Sequence, residues 1–186
     1  INDTTTHLTW RDSYPYNCIS TLALHPIYIN LEATGILKDK SLAAQMEQEG
    51  KMLNQGKLLD YEGVWNHKMK YLRAIYLQEK DDTFAQPGYY SFVKHNKEWL
   101  LPYAAFSALR DHMHTANFRE WGEYAKFSWE MIKKLSSPGS PLHSEIYFYV
   151  FIQYHLHLQM VQAKKYAHSK GVALKGDIPI GISRDS

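Results

Sequence analysis

Residues 144–182 decide the fold and read SEIYFYVFIQYHLHLQMVQAKKYAHSKGVALKGDIPIGI. Apolar residues recur there at spacings of three and four, which is typical of one buried face of a helix. This stripe consists of Tyr149, Ile152, Leu156, Met160, Ala163 and Ala167. Lysines in the last turns precede Gly171. Because glycine takes the left-handed backbone conformation without steric cost, the pattern predicts that the helix ends there.

After this helix, residues 172–180 have the pattern of a short buried strand that ends at Pro179. Helix, glycine and strand in this order form the αβ half of a βαβ unit, and an acidic residue, Asp177, stands near the strand's C-terminal end. Ligands of α/β barrels and open parallel sheets bind at that end, so Asp177 is a candidate ligand-binding residue. A single parallel strand cannot satisfy its own backbone groups. We therefore expect the chain to be a piece of a longer polypeptide.

The bulk composition describes an ordinary globular chain: 186 residues, 45% hydrophobic and 22% charged. A formal charge of +2 with scattered basic residues gives no reason to expect a nucleic-acid partner. The longest apolar run, residues 146–152, is far shorter than the roughly 20 residues that span a bilayer, so we expect no membrane partner. The single cysteine, Cys18, excludes an internal disulfide and favours a reducing, cytoplasmic compartment, where we expect it to be a half-buried packing residue.

Upstream of residue 144 the chain is predicted to be mainly helical. The predicted helices cover residues 41–55, 60–80, 90–95, 98–112 and 128–135, with Ser41, Asp60 and Ser128 as caps. Pro102 fits its helix only within the first turn. Residues 27–29 are β-branched and predict a short strand, residues 81–88 a loop, and residues 136–141 a clear break.

Two groups of residues resemble chemical sites, but the pattern argues against both. His155 and His157 lie two apart on a helix and must face opposite ways, so we expect no metal site. Arg110, Asp111 and the adjacent His112 look like a catalytic fragment. Because their helical neighbours have core spacing, we interpret the three as an ion-paired, solvated helix face.

Aromatic residues are a stronger signal, since the chain has 14 tyrosines and 5 tryptophans. Flat rings with polar edges suit sugar faces, which offer C–H patches bordered by hydroxyls. The alternative is that these rings simply form an aromatic core, and composition alone leaves both open.

Two motifs near opposite ends of the chain carry a family resemblance. Residues 14–20 (YPYNCIS) with residues 24–29 (LHPIYI) resemble the "SPY…S…NPLYID" segment of the 4-α-glucanotransferases, also called amylomaltases or disproportionating enzymes. Residues 174–186 (LKGDIPIGISRDS) resemble the "GDxPI…DS" strand of the same family. The amino-acid sequences of the motifs and of the segments between them are most similar to the type-two branch of the family. The motifs also occur in the same order as in the family.

The resemblance implies a (β/α)₈ barrel of the α-amylase clan with large helical insertions. The expected fold is therefore mainly α as isolated: a helical insertion subdomain plus an edge of a TIM-type barrel. Residues 1–32 would be a barrel-edge loop and short strand, residues 33–140 the helical insertion, and residues 141–186 a helix and barrel strand. The implied activity is retaining transfer of α-1,4-glucan or glucosyl units between maltooligosaccharides, with no cofactor.

The resemblance also assigns roles to individual residues. Tyr16 matches the tyrosine that lines the sugar site at the scissile bond, and Asp177 matches an aspartate that binds sugar hydroxyls and is not the nucleophile. Tyr14, which stands where the family usually has serine, is a third candidate for substrate contact. No residue matches the family's catalytic carboxylates, so we expect the chain alone to be inactive and to self-associate through its exposed barrel-facing surface. The alternative is a non-catalytic helical module that binds glucan or a protein partner.

Overall fold

The structure is a computed structural model that describes residues 2–176, 181, 183 and 184. Five α-helices are present: α1 (Lys40–Leu53), α2 (Tyr61–Phe84), α3 (Pro87–Met113), α4 (Trp129–Leu135) and α5 (His143–Ser169). Four short 3₁₀ helices cover Trp10–Ser13, Pro26–Tyr28, Phe118–Glu120 and Gly122–Tyr124. The prediction of a mainly helical chain is confirmed.

The expected barrel edge is not visible in the described residues. They contain no strand, and one isolated antiparallel bridge joins Asn2 to Leu24. Residues 172–176 are irregular, with Val172 and Leu174 exposed rather than buried. The rest of the predicted strand, residues 177–180, lies outside the described part of the chain. None of the helices in the described chain is long and apolar enough to cross a membrane.

The core is the interface of α3 with α5, with α2 packed alongside. The first half of α5 is apolar on nearly every side, as expected of a helix surrounded by protein, and Ile146, Val150 and Ile152 are fully buried. Tyr76 of α2 meets Phe148 and Phe151 edge-on, with ring centroids 5.4 and 5.5 Å apart. Aromatic packing of this kind dominates the core.

The second half of α5 departs from the sequence prediction. The helix ends as expected, with Gly171 in the left-handed conformation at φ 72°. However, the apolar stripe is buried only as far as Leu156, and Met160 is 45% exposed. In the second half of the helix Gln159 still bonds to the Asn30 backbone, at 2.8 and 2.9 Å, while Met160 and Tyr166 are exposed.

The α2–α3 boundary also corrects the prediction. The predicted loop at residues 81–88 is wrong, since α2 continues to Phe84 and α3 begins at Pro87. Phe84 stacks on Tyr89 with ring centroids 4.7 Å apart, so a tertiary contact closes a short connection. Pro102 lies in the interior of α3 rather than in a first turn, because one continuous helix replaces the two predicted there.

Local capping was predicted with mixed success. Asp60 accepts a hydrogen bond from the Gly63 N–H, 2.9 Å away, and Ser128 accepts from Met131, so both caps are confirmed. Ser41 is not a cap, because the helix begins one residue earlier, with Asp39 accepting from the Ser41 and Leu42 N–H groups.

The strand predicted at residues 27–29 is wrong. Residues Pro26–Tyr28 form a 3₁₀ helix whose cap is the His25 ring. Lys68 of α2 donates to the carbonyls of Ile27 and Ile29, at 2.6 and 2.8 Å. Because a side chain occupies these carbonyls, they are not available to a neighbouring strand.

Candidate functional site

The candidate site is built on a buried polar segment, residues 3–6, close to the start of the chain. The Asp3 N–H donates to the Ala23 carbonyl at 3.0 Å, and the Ile19 N–H donates to the Asp3 carbonyl at 2.8 Å. The Tyr103 hydroxyl of α3 donates to Oδ2 of Asp3 at 2.5 Å. Burial and the adjacent Asp3 carboxylate raise the pKa of Tyr103, so this hydroxyl remains a donor. The segment is therefore fixed to α3 at one side and to residues 19–23 at the other.

A second buried carboxylate, Asp12, closes the turn that follows. Its oxygens accept from the backbone N–H groups of His7 and Leu8 and from the hydroxyl of Thr6, at 2.7–3.2 Å. Leu8 takes a positive φ of 56° within this turn. Because every oxygen of Asp12 is already bonded, the carboxylate organises the loop and is not free to act on a substrate.

The loop then presents two tyrosine rings to solvent. Tyr14 is 60% exposed and Tyr16 is 45% exposed, and their rings meet edge-on with centroids 5.6 Å apart. Both sequence-predicted contact residues of this motif thus lie side by side at the surface. Trp10, in the 3₁₀ helix just before them, is also exposed. Exposed amphipathic rings of this type are available for contact with a flat ligand face.

The C-terminal segment returns to this loop. The Ser183 N–H donates to the Cys18 carbonyl at 2.9 Å, and the Cys18 thiol points at the Gly181 carbonyl, with 3.5 Å between sulfur and oxygen. The two motifs that the sequence singles out are therefore adjacent in space at Tyr16, Cys18 and Gly181. Asp177 itself lies outside the described residues, so its position relative to Tyr16 stays a prediction.

Cys18 is fully buried at this junction, rather than half-buried as the sequence predicted. Burial raises the pKa of its thiol, which keeps it protonated and unreactive. The side chain serves packing, as expected.

Arg110 corrects the sequence interpretation of a solvated helix face. Its side chain is buried, with the residue only 1% exposed. Its Nη1 donates to both the carbonyl and the hydroxyl of Thr5, each at 2.6 Å, and its Nη2 donates to the Tyr149 hydroxyl at 2.9 Å. Asp111 completes the group by accepting from Arg110 at 2.8 and 2.9 Å and from Tyr149. These residues form an internal tie between α3, α5 and the N-terminal segment.

His25 is a further residue whose role the sequence did not reveal. Its Nδ1 accepts from the Ile27 N–H at 3.1 Å, and its Nε2 lies 2.9 Å from the Tyr61 hydroxyl. Burial lowers the pKa of His25, so the ring is neutral and Nε2 carries the hydrogen that it donates to Tyr61. A cavity of about 220 Å³ separates this pair from Ser13 and Pro15, which belong to the loop that carries Tyr14 and Tyr16.

Gln153 links α5 to the same region. Its amide oxygen accepts from the Leu24 N–H at 2.9 Å, and its amide nitrogen donates to the Leu24 carbonyl at 2.7 Å and to Tyr103 at 3.2 Å. A polar residue at the end of the apolar run 146–152 was the only sequence signal for this contact. Asp3, Arg110 and Tyr149 gave no comparable signal, because their partners lie far away in the chain.

The site offers surface contacts rather than reactive groups. Both oxygens of Asp3 also accept hydrogen bonds, from the Thr5 N–H and from Tyr103. Among the described residues, no group of three or more His, Cys, Asp or Glu side chains could hold a metal ion. What the loop presents are aromatic faces and backbone groups, which can hold a polar, flat-sided ligand.

Comparisons with known proteins give a consistent result. A family model described as 4-alpha-glucanotransferase matches residues 1–186. The 4-alpha-glucanotransferase DPE2 of Oryza sativa subsp. japonica is 41% identical over 186 residues, covering 100% of this chain and 20% of the relative. The 4-alpha-glucanotransferase of Chlamydia muridarum is 32% identical over 176 residues, 94% of this chain and 32% of the relative. That of Clostridium butyricum is 31% identical over 177 residues, 92% of this chain and 34% of the relative.

The chain spans about a fifth to a third of the length of these relatives. No solved structure gives a significant match.

Proposed function

The chain belongs to the 4-alpha-glucanotransferase family, and from that premise we propose that it forms part of an enzyme that transfers α-1,4-glucan or glucosyl units between maltooligosaccharides or glucans. The relatives that bear this name are three to five times longer than the region they share with this chain. The activity therefore belongs, in this proposal, to the longer polypeptide. No cofactor is needed, because glycosyl transfer by two carboxyl groups moves no electrons to an external acceptor.

The proposed reaction retains the configuration at the anomeric carbon. A carboxylate attacks that carbon and forms a glycosyl ester, while a carboxylic acid gives its proton to the departing sugar oxygen. A hydroxyl of the acceptor sugar then attacks the anomeric carbon of this ester, gives its proton to the residue that served as the acid, and releases the nucleophilic carboxylate. Neither carboxyl group is assigned to residues 1–186, because none of them was matched to the family's catalytic carboxylates; the buried Asp3 and Asp12 are committed to hydrogen bonds within the fold.

The role proposed for this chain is to contact the sugar chain. Tyr16 would place its ring against the C–H face of a glucose unit next to the scissile bond, with Tyr14 beside it and Asp177 binding hydroxyls. The observation that carries this role is the junction of the two motifs, where Ser183 bonds to Cys18 and Gly181 lies against Tyr16. Two segments separated by more than 160 residues have no local reason to meet there.

The proposal extends to the barrel context and the compartment. The uncovered part of α5 and the exposed Val172 and Leu174 support a fold in which further strands of a (β/α)₈ barrel would cover them. The single cysteine, Cys18, suits a reducing compartment, and we include a cytoplasmic location in the proposal.

The test is glucan transfer by the full-length polypeptide that contains this chain. Incubated with maltotriose, it should release glucose and form longer maltooligosaccharides, which chromatography resolves. Tyr16→Ala should lower kcat/KM by roughly ten- to a hundredfold, equivalent to about 1.4–2.7 kcal/mol of lost transition-state binding. Tyr90→Ala, at an exposed tyrosine on α3, is the matched control.

Two outcomes would overturn the proposal. Absence of longer products from the wild-type polypeptide would exclude glucanotransfer and favour a non-catalytic glucan- or protein-binding module. Equal kcat/KM values for the Tyr16 and Tyr90 variants would show that Tyr16 does not contact the substrate.

A further inference from the structure

We infer that Arg110 is a positioning residue for substrate binding: its buried guanidinium holds the loop of residues 7–18 in the conformation that presents Tyr14 and Tyr16. The inference rests on the proposed function of those tyrosines. Arg110 does not contact the loop's rings, so it would act through the backbone segment that anchors them.

The first step of the argument is the completeness of the Arg110 contacts. A guanidinium has five N–H groups in a rigid planar fork. In this chain Nε donates to Asp111, Nη1 donates twice to Thr5, and Nη2 donates to Asp111 and Tyr149. All five donors are therefore used. Two of them fix one residue of the N-terminal segment, Thr5, which lies 105 positions away in the sequence.

The second step leads from Thr5 to the tyrosine loop. The Thr5 N–H donates to Oδ1 of Asp3, and the Asp3 carbonyl accepts from Ile19 at 2.8 Å. The loop of residues 7–18 thus leaves the core next to Thr6, on the segment that Arg110 holds, and returns to it at Ile19, which is hydrogen-bonded to that segment. Inside the loop, Asp12 binds His7 and Leu8 and closes the first turn. A displacement at Thr5 would therefore move both ends of the loop.

The third step concerns why an arginine stands there. Removing a guanidinium from water is costly, and well-packed apolar residues often stabilise a core as well or better. A lysine would carry the charge but has three donors on one nitrogen and cannot reach Thr5, Tyr149 and Asp111 together. Simultaneous contact with three elements requires the planar fork. The geometry is therefore suited to holding a segment in one place rather than to packing alone.

The experiment compares Arg110→Lys with Arg73→Lys. Arg73 is a partly exposed arginine of α2 that pairs with Glu145 and does not contact the loop, so it controls for the same chemical change. The first readout uses the 186-residue chain, in which Cys18, the last residue of the loop, is the only cysteine and has a buried side chain. A chromogenic aromatic disulfide should label Cys18 about fivefold faster or more in Arg110→Lys, because release of the loop exposes the thiol, and at the wild-type rate in Arg73→Lys.

The second readout uses the full-length polypeptide with maltotriose. Loss of loop positioning should raise KM by about tenfold and change kcat by less than about threefold, since the lost interactions serve binding. A purely structural defect would lower the active fraction, and hence kcat, without raising KM. An unchanged KM, or unchanged labelling of Cys18, in a folded Arg110→Lys protein would overturn the inference.

A milder variant decides the matter if Arg110→Lys does not fold. Thr5→Val removes one of the two acceptors of Nη1 and leaves α3 and α5 intact. It should also speed the labelling of Cys18 and raise KM for maltotriose, and wild-type values of both would count against the inference. If the wild-type polypeptide does not act on maltotriose, the proposed function fails. Cys18 labelling still tests whether Arg110 holds the loop of residues 7–18 in place.

Discussion

Gly181 lies directly against the backbone of Tyr16: a Cβ atom built on Gly181 would come within 2.3 Å of the Tyr16 carbonyl oxygen. Approach of that kind is open to glycine alone, because heavy atoms of real side chains do not come so close to a carbonyl. The contact joins the loop that carries the exposed tyrosines to the segment that follows Asp177.

Gly181→Ala should separate these two segments. Because backbone atoms cannot move aside as freely as a side chain, we expect a cost of about 1–3 kcal/mol in the free energy of unfolding, measured by denaturant titration. Gly176→Ala is the matched control, since a Cβ there meets nothing within 4 Å. Equal stability of the two variants would show that the Tyr16–Gly181 contact is not formed in solution.

The 186-residue chain by itself should not transfer glucan. Retaining transfer requires two carboxyl groups flanking the scissile bond, and no residue of this chain matches those of the family. Purified chain incubated with maltotriose should leave it unchanged by chromatography. Release of glucose above the level of a buffer control would contradict this prediction.

The chain should self-associate through its uncovered apolar side chains. Met160, Tyr166, Val172 and Leu174 are all 45–67% exposed, and extended apolar surface drives association in water. Light scattering should give a mass that rises with concentration, and Met160→Lys should weaken the effect more than Leu58→Lys, a control at an exposed leucine before α2. A monomer throughout a tenfold concentration range would rule the prediction out.

Unfolding should become easier in acid because of His155. Burial lowers the pKa of His155 to about 4, and its Nε2 is buried without a hydrogen-bond partner among the described residues. Between its ordinary pKa of about 6.5 and about 4 the unfolded chain binds a proton that the folded chain does not, so stability falls as pH falls through this window. The total loss should be roughly 1–3 kcal/mol.

His155→Leu should remove much of this pH dependence, as measured by urea unfolding at several pH values between 4 and 7. His25, whose pKa is also lowered by burial, should add a loss of stability of the same sign. The control is His157→Leu, two residues along the same helix on its exposed side. A pH profile for His155→Leu identical to the wild type would disprove the assignment.

Two glycines, Gly50 within α1 and Gly63 in the first turn of α2, should respond oppositely to substitution by alanine. In Gly50→Ala the new Cβ would lie 3.5 Å from the His67 ring, an ordinary contact, so the gain in helix propensity should stabilise the chain by about 0.5–1 kcal/mol. In Gly63→Ala the new Cβ would lie 2.3 Å from Oδ2 of Asp60, the carboxylate whose Oδ1 caps the helix, so the cap should be lost at a cost of about 1 kcal/mol. The melting temperatures of both variants, compared with that of the wild type, would test this prediction. Shifts of the same sign in the two variants would contradict it.

Features that depend on neighbouring residues were predictable from the order of the amino acids. The end of α5 at Gly171, the caps at Asp60 and Ser128 and the break at residues 136–141 each involve groups within about four positions of one another. Hydrogen bonds and backbone strain at that range depend mainly on the types of neighbouring residues. The family resemblance likewise came from two motifs without any coordinates, and the family comparison confirmed the family.

The burial of particular side chains and the contacts between distant segments became clear from the three-dimensional fold alone. Pro102 fits inside α3 because packing on α5 stabilises the continuous helix more than one missing backbone hydrogen bond destabilises it. Arg110 is buried because Thr5, 105 positions away, accepts its hydrogen bonds. Gly181 meets Tyr16 through the return of the whole chain past the helices. Contacts at such separations depend on how several helices pack together, and no local pattern of residues encodes that arrangement.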